Sequence, residues 1–521
     1  MNMIDKPRTS GRAGGRAARR AARAAPLTDN LKPVRPGLSG GTYRPLTDAG
    51  VQRIHEAALQ CLEEIGLADA PQSGIDIMVK AGAILGDDGR LRYPRALVED
   101  AVAMAAKTIT LYGRSPAFDM ELSGTRVHYG TAGAAVHMVD IETNDYRDST
   151  VQDLYDAAHL VQHLENIHFL QRPMVCRDIT NNDELDYNTI YACCRGTLKH
   201  IGTSFVEPQY VPQSLEMLHM IAGGEDAWRA RPFVSNSNCF VVPPMKFATE
   251  ACEVMEACIR GGMPVLLLSA GMAGATAPAT LAGAIVQATA ECLAGLVYVN
   301  AISPGHPAIV GTWPFGLDLR TGAMSVGSGE QALLSAGCAQ MHQFYGVPGG
   351  AAGGASDSKL PDMQAGWEQM CSNVMTGLSG LNMVYEAAGM HASLLGFCHE
   401  SLILGDDLIG QAQRCVRGIE VTEDTVAVET IRSTVLGSDG TGGPGHYLGA
   451  DQTLTLMQKD FVYPTLGDRT SPKEWAENDK PDLIQNAIKR KEALLSTPSP
   501  AAFDPQLDRS LREAFNIHLP V

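Results

Sequence analysis

Several things are missing from this sequence, and each absence removes a class of function. Its twelve cysteines form no CxxC pair, and no HExxH or paired Cys/His spacing marks a zinc site. Reduced core thiols in a cytoplasmic protein are the reading, with only a thiolate–zinc centre built from distant residues left open. No GxSxG elbow occurs at a strand-to-helix turn, since Gly37-Leu38-Ser39-Gly40-Gly41 lies in a loop stretch, which argues against a serine esterase, and no phosphate loop occurs. No run of 18 or more apolar residues is present, so no membrane span is expected. Positive charge is in deficit: the net charge is −17, which disfavours nucleic acid as a partner and favours cationic ligands. Aromatic residues are scarce, at 6%.

What is present is a long soluble-type chain of 521 residues, 19% charged and 45% hydrophobic. Lys6, Arg8, Arg12, Arg16, Arg19, Arg20 and Arg23 stand against Asp5 near the start, which leaves the remainder more acidic than the net charge suggests. This Gly/Ala/Arg stretch lacks an apolar segment and reads as a disordered basic arm and linker over 1–44. Helical spacing then dominates 45–125, beginning with a cap at Leu46-Thr47-Asp48. From Arg126 short small-residue or apolar strands alternate with amphipathic helices. The strands are Val127–Gly133, His168–Pro173, His200–Val206, Phe233–Phe240, Pro264–Gly271, Pro307–Trp313, Pro348–Gly354 and Met383–Ala388. Helices fall near 151–164, 183–196, 210–222, 246–261, 277–296, 328–345, 362–379 and 400–417. Eight β/α units over 126–418 predict a (β/α)8 TIM barrel with an N-terminal helical extension. The rival, a doubly wound open sheet, lacks a GxGxxG opening an early helix. A hairpin is inserted at Val136–Asp148, and 419–521 reads as a C-terminal segment of helices and loops packing on the barrel.

The stretch from Gly349 to Glu368 is the most informative. A Gly/Ala strand gives way abruptly to Ser356-Asp357-Ser358-Lys359, where a barrel strand would end and barrel enzymes place their chemistry. The other strand ends supply Tyr129, Gln171, Asn236, Asn238, Trp313 and Phe315 to one mouth. Aromatic faces beside carboxylates are what a quaternary ammonium needs, although Trp313 and Phe315 would also serve as a barrel plug. Glu386, flanked by Tyr385 and Ala387 in an apolar strand, requires either a shifted pKa or a buried ion pair with Arg172 or Lys359. Asp357 is a counter-charge or a helix cap. Arg320 would grip a substrate carboxylate bidentately or bridge to Asp318 in its own loop. Glu386 and Asp357 are the catalytic candidates. Tyr129, Gln171, Asn236, Asn238, Trp313, Phe315, Arg320, Ser356, His391 and His446 are the substrate-binding ones, with Glu400 a further carboxylate.

Four blocks carry a resemblance. They are Val139-Asp140-Ile141-Glu142-Thr143 with Arg147; Asp318-Leu319-Arg320-Thr321-Gly322 with Gly327 and Glu330-Gln331-Ala332-Leu333; Gly353 to Lys359 with Asp362, Gln364-Ala365-Gly366 and Glu368; and Gly445-His446-Tyr447-Leu448-Gly449. Together they make the chain resemble the trimethylamine methyltransferase family, in its branch lacking pyrrolysine. The resemblance implies a barrel that moves a methyl group from an amine to the cobalt of a separate corrinoid protein, with no tightly bound cofactor of its own. Ordinary residues occupy Gly354–Ser356, where the trimethylamine enzymes carry pyrrolysine. The implied donor is therefore a quaternary amine such as glycine betaine, proline betaine or carnitine. Its N-methyl is already cationic and needs no covalent activation. The implied partners are this small molecule and the corrinoid protein; homo-oligomerisation stays open. Two alternatives also remain: a betaine-binding barrel without catalysis, and a methyltransferase with another acceptor such as a thiol or folate.

Overall fold

The computed structural model describes residues 27–28, 31–437 and 439–520, so the basic arm 1–25 lies outside the described residues. Contacts divide the chain into two compact units. Of the described residues, one unit comprises Pro36–Arg417 with those from Pro464 onward; the other comprises those up to Arg35 with those between Gly418 and Tyr463.

The first unit contains eight repeats of strand and helix. The strands are β1 (Arg126–Tyr129), β2 (Phe169–Gln171), β3 (His200–Thr203), β4 (Val234–Asn238), β5 (Val265–Ser269), β6 (Ala308–Thr312), β7 (Gly350–Ala352) and β8 (Met383–Tyr385). Each is followed by its helix: α1 (Val151–His163), α2 (Asn182–Gly196), α3 (Val211–Ala222), α4 (Thr249–Arg260), α5 (Leu281–Ile302), α6 (Gly329–Tyr345), α7 (Met363–Ser379) and α8 (His399–Arg417). Strands β2 to β6 pair in parallel in chain order, and β8 pairs in parallel with both β7 and β1. Parallel bridges Gly130–Phe169 and Val310–Gly349 close the ring. The alternation read from the sequence is therefore a closed (β/α)8 barrel.

Side-chain contacts set which residues face the lumen. Phe169 meets Tyr385 at 5.1 Å and Tyr385 meets Trp313 at 5.0 Å between ring centroids. These residues come from β2, the end of β8 and the end of β6, so the rings cross the barrel interior. Small partners make room for them: a Cβ on Gly130 would strike Phe169, and one on Gly350 would strike Tyr385. Alternation then sends Leu266 inward and Leu267 outward, where it lies beside Gly295 of α5.

Helix α5 has 22 residues and is apolar enough by length and composition to cross a bilayer, but most of it is buried in this fold. It packs beneath the helices Asp48–Gln60, Gln72–Ala81 and Arg95–Met104. Its one carboxylate, Glu291, accepts from Ser269 Oγ and Met245 N. The N-terminal region also contains elements that helical spacing did not show. Ile109–Leu111 pairs with Met120–Leu122, and the turn between them meets the start of β3, with His200 Nδ1 2.8 Å from Tyr112 O. Strands of three residues are too short for alternation to register. Leu38–Ser39, within the stretch read as linker, pairs antiparallel with β1.

The strand-to-helix loops lie at the C-terminal end of the barrel. Thr150 and Asp153 form a capping box at α1, and Arg147 reinforces it with bonds of 2.7 and 2.6 Å to Asp153. The inserted hairpin, His137–Asp140 with Asp145–Asp148, joins Met390–His391 and Gly396–Phe397 in a small sheet. The loops after β1 and β8 are thereby tied together. Helix Leu483–Leu495 packs on α8 and α1, and its Lys491 pairs with Glu400.

Candidate active site

At the C-terminal end of β8 the backbone leaves the extended conformation. Glu386 has φ +61°, a left-handed value uncommon for a residue with a side chain. It is buried at 1% exposure, and its Oε2 has no hydrogen-bond partner among the described residues. The alternatives expected for it are not found: Lys359 Nζ donates to Asp357 O, and Arg172 forms no ion pair with Glu386. Burial alone pushes the Glu386 carboxyl up to about 8. An unpaired carboxylate in such a place is costly, and groups of this kind concentrate at functional sites.

Directly before it stands the aromatic wall. Tyr385 crosses the lumen to Trp313, whose Nε1 donates to Gly350 O at 2.9 Å, and Phe315 meets Trp313 edge-on at 6.5 Å. Gln171 faces inward over Gly202, where any Cβ would overlap its amide. Glu386, Trp313, Phe315 and Gln171 are thus the sequence candidates at or near the C-terminal end of the lumen.

Other candidates are placed elsewhere, for reasons that alternation and packing supply. Tyr129 is the last residue of β1 but faces the helices, donating from its hydroxyl to Asn373 O of α7 at 3.1 Å. Gly130 holds the inward position instead. Asn238 is registered with Leu267, so it and Asn236 face the helical layer, while Ser235 and Ser237 face inward. Asp357 accepts from Ser325 Oγ, Val326 N, Gly327 N and Ser393 Oγ. It is a tie holding together the loops after β6, β7 and β8. Ser356 donates to Glu368 at 2.6 Å. Arg320 sits at the tip of the hairpin Leu317–Asp318 with Ala323–Met324; its guanidinium is largely exposed and doubly bonded to Asp318 at 3.0 and 2.8 Å. His391 Nε2 lies 2.6 Å from Ser401 Oγ, and burial pulls its pKa down to about 4, which keeps it neutral. His446 is exposed and belongs to the unit containing Gly418–Tyr463.

Two residues of the mouth were not singled out by the sequence. Ser237 is inward-facing and half-buried. Cys239, just beyond β4, keeps solvent access although surrounding protein pushes its thiol up to about 11, as expected of a group in a concave wall. Strict alternation from the inward Ser235 would have found Ser237.

Comparison with known proteins decides the family. The chain matches the sequence profile of trimethylamine methyltransferase over residues 12–517. The chain belongs to the trimethylamine methyltransferase family. A trimethylamine methyltransferase of Desulfitobacterium hafniense (strain DSM 10664 / DCB-2) is 30% identical over 483 residues, covering 91% of this chain and 93% of the relative. The glycine betaine methyltransferase of Desulfitobacterium hafniense (strain Y51) is 29% identical over 471 residues, covering 90% and 96%. Among solved structures, the monomethylamine methyltransferase of Methanosarcina barkeri covers 91% of each chain with a TM-score of 0.50 at 12% identity, a likeness of fold. In the present chain the residues Gly354, Ala355 and Ser356 follow β7, and Gly354 N donates to Ser372 Oγ at 2.9 Å.

Proposed function

We propose that this methyltransferase takes its methyl group from a quaternary amine of the glycine betaine class and delivers it to a corrinoid carried by a partner protein. The observation that carries the reading is Glu386: a buried carboxylate with an unpartnered oxygen, one residue beyond an aromatic ring that crosses the lumen. A quaternary ammonium cannot donate a hydrogen bond, so aromatic faces and an unpartnered negative charge are the means of holding it. A carboxyl titrating near 8 is mostly protonated at neutral pH. A fixed cation beside it favours the ionised form, so donor binding releases a proton. Loss of the methyl leaves a neutral amine nitrogen; the carboxyl regains its proton, and the attraction ends. Holding the cation with a carboxyl that is easily neutralised limits ground-state stabilisation, which would otherwise slow transfer.

The reduced cobalt of the corrinoid supplies the nucleophile for an in-line displacement. The chain supplies orientation and exclusion of water, and no general base is needed. Gln171 and Ser237, both inward-facing, would take the polar end of the donor, the role the sequence had suggested for Arg320 and the two asparagines.

The test combines the purified protein with a reduced corrinoid protein and, separately, glycine betaine, proline betaine, carnitine and trimethylamine. Corrinoid methylation, followed by absorbance, is expected with a quaternary amine and not with trimethylamine. Methylation with trimethylamine alone, or transfer to a thiol or folate in corrinoid-free reactions, would overturn the proposal. Binding without any transfer would favour a betaine carrier instead.

A further inference from the structure

A cavity lies outside the barrel, between the N-terminal halves of α7 and α8, with a volume of about 490 Å³. Residues 464–469 and the start of helix Leu483–Leu495 form its remaining wall. It shares no lining residue with the set around Glu386. Met370, Leu404, Leu408 and Ile484 give it apolar sides.

Its polar groups are unevenly matched. Asp407 holds the cover in place, accepting from Thr465 N and Oγ1, Leu466 N and Gly467 N. Asp362 caps α7 through one oxygen, accepting from Ala365 N at 3.0 Å, and Asp468 accepts from Thr470 through its Oδ1. Asp468 has a second oxygen to offer a ligand, and Asp362, which also faces the Ser358 hydroxyl, adds its charge beside it. Against the three acids the described lining contributes one cation, Arg469. Gln369 is 6% exposed, lines the cavity, and its Nε2 has no acceptor among the described residues. A buried amide donor without a partner is uncommon in a settled core. Half a turn of the amide would direct the donor into the cavity, where a ligand's carbonyl would satisfy it.

We propose that this cavity is a second ligand site, taking an organic cation with an aliphatic body and a hydrogen-bond acceptor. The cationic end lies toward Asp362 and Asp468, the aliphatic body against Leu404 and Leu408, and the acceptor on Gln369. The size and mixed lining are those of a small-molecule pocket. The site also touches the mouth indirectly. Glu368, the residue before Gln369, receives Ser356 Oγ and Asp357 N, at 2.6 and 2.9 Å. Occupancy would therefore be felt by the loop after β7. The proposal does not depend on which reaction the barrel performs.

6-Aminohexanamide, which carries a primary ammonium head, a five-methylene body and an amide carbonyl, is the probe for calorimetric titration of the full chain. Gly366 lines the cavity, and a Cβ there meets nothing within 4 Å, so Gly366→Trp fills the space without a clash at the backbone. Binding should weaken at least tenfold in Gly366→Trp and about threefold in Gln369→Met, and persist with glycine betaine in excess. Leu408→Trp, which fills the same cavity from α8, decides the matter if Gly366→Trp does not fold. No binding by the wild type, equal binding after the cavity is filled, or displacement by glycine betaine would each overturn the assignment; the last would place the probe in the barrel.

Discussion

Glu386 concentrates the conflict between stability and activity in one side chain. Its folded form titrates near 8, whereas the ordinary value is 4.5. Between these values the native state keeps a proton that the unfolded chain has released. Stability is therefore full below pH 4.5, falls by about 1.4 kcal/mol per pH unit as pH rises through the window, and levels off above about 8. Glu386→Gln removes that slope. We expect its thermal unfolding midpoint to exceed that of the wild type by a margin that is larger at pH 8.5 than at pH 5.5 in calorimetry. The same variant should lose on the order of 100-fold or more in methyl transfer, because the amide carries no charge for the donor. Affinity for the quaternary amine should rise with pH up to about 8 and then plateau, as measured by equilibrium binding; a flat profile would remove Glu386 from the site. Arg320 gives the contrasting expectation. Its guanidinium is largely exposed and bonded to Asp318, so Arg320→Ala should leave transfer within about twofold of wild type.

At the scale of the element, the important unit is the loop after a strand. Asp357 joins three of these loops through four accepted bonds, two of them to backbone N–H groups. Asp357→Ala leaves those donors unmatched and should cost roughly 2–4 kcal/mol in chemical denaturation. Its effect on turnover should come through misplaced loops, with Asp357→Asn recovering part of the stability. The lumen glycines act similarly on single strands. Gly202→Val would place carbon where the Gln171 amide sits and should raise the KM for the donor more than it lowers stability, provided Gln171 holds the donor's polar end. Much of this scale was legible in the sequence. All eight strand–helix units were read within a few residues, because each combines a short apolar or small-residue strand with a long amphipathic helix. The helix cap at Thr47 was legible too, and its hydroxyl accepts from Gly50 N, while the caps at Thr150, Ser328 and Asp362 were not singled out. The hairpin at Ile109–Leu122 was not, since its strands are too short to show a period.

At the scale of the whole molecule, ring closure sorts the candidates. Residues adjacent in a strand end on opposite sides of the wall, so Asn236 and Asn238 go to the helical layer while Ser235 and Ser237 go to the lumen. A list of strand-end residues cannot separate the two sets until one contact fixes the phase. The Phe169–Tyr385–Trp313 chain of rings does so, because it joins strands that only a closed barrel brings together. The helices from Pro472 onward belong to the same unit as the barrel. Arg114 donates to Ala501 O, and Lys491 pairs with the otherwise buried Glu400. A chain ending at residue 463 would strip α1 and α8 of their cover. It should be recovered mainly as aggregate, or as a species with a sharply lowered unfolding midpoint, when compared by size exclusion and calorimetry.

The sequence by itself determined the order of elements, the barrel, and the acidic character of the chain. These depend on local periodicity and on composition, both of which are present in the linear pattern. It also singled out Glu386, because a carboxylate between apolar neighbours is anomalous wherever the chain goes. Only the tertiary structure decided that Glu386 Oε2 has no partner among the described residues, that Asp357 has four, that Tyr129 and the asparagines face away from the lumen, and that a cavity opens between α7 and α8. Each of those facts depends on which distant groups share a space, and that distance is set by closing the ring rather than by any neighbour in the chain.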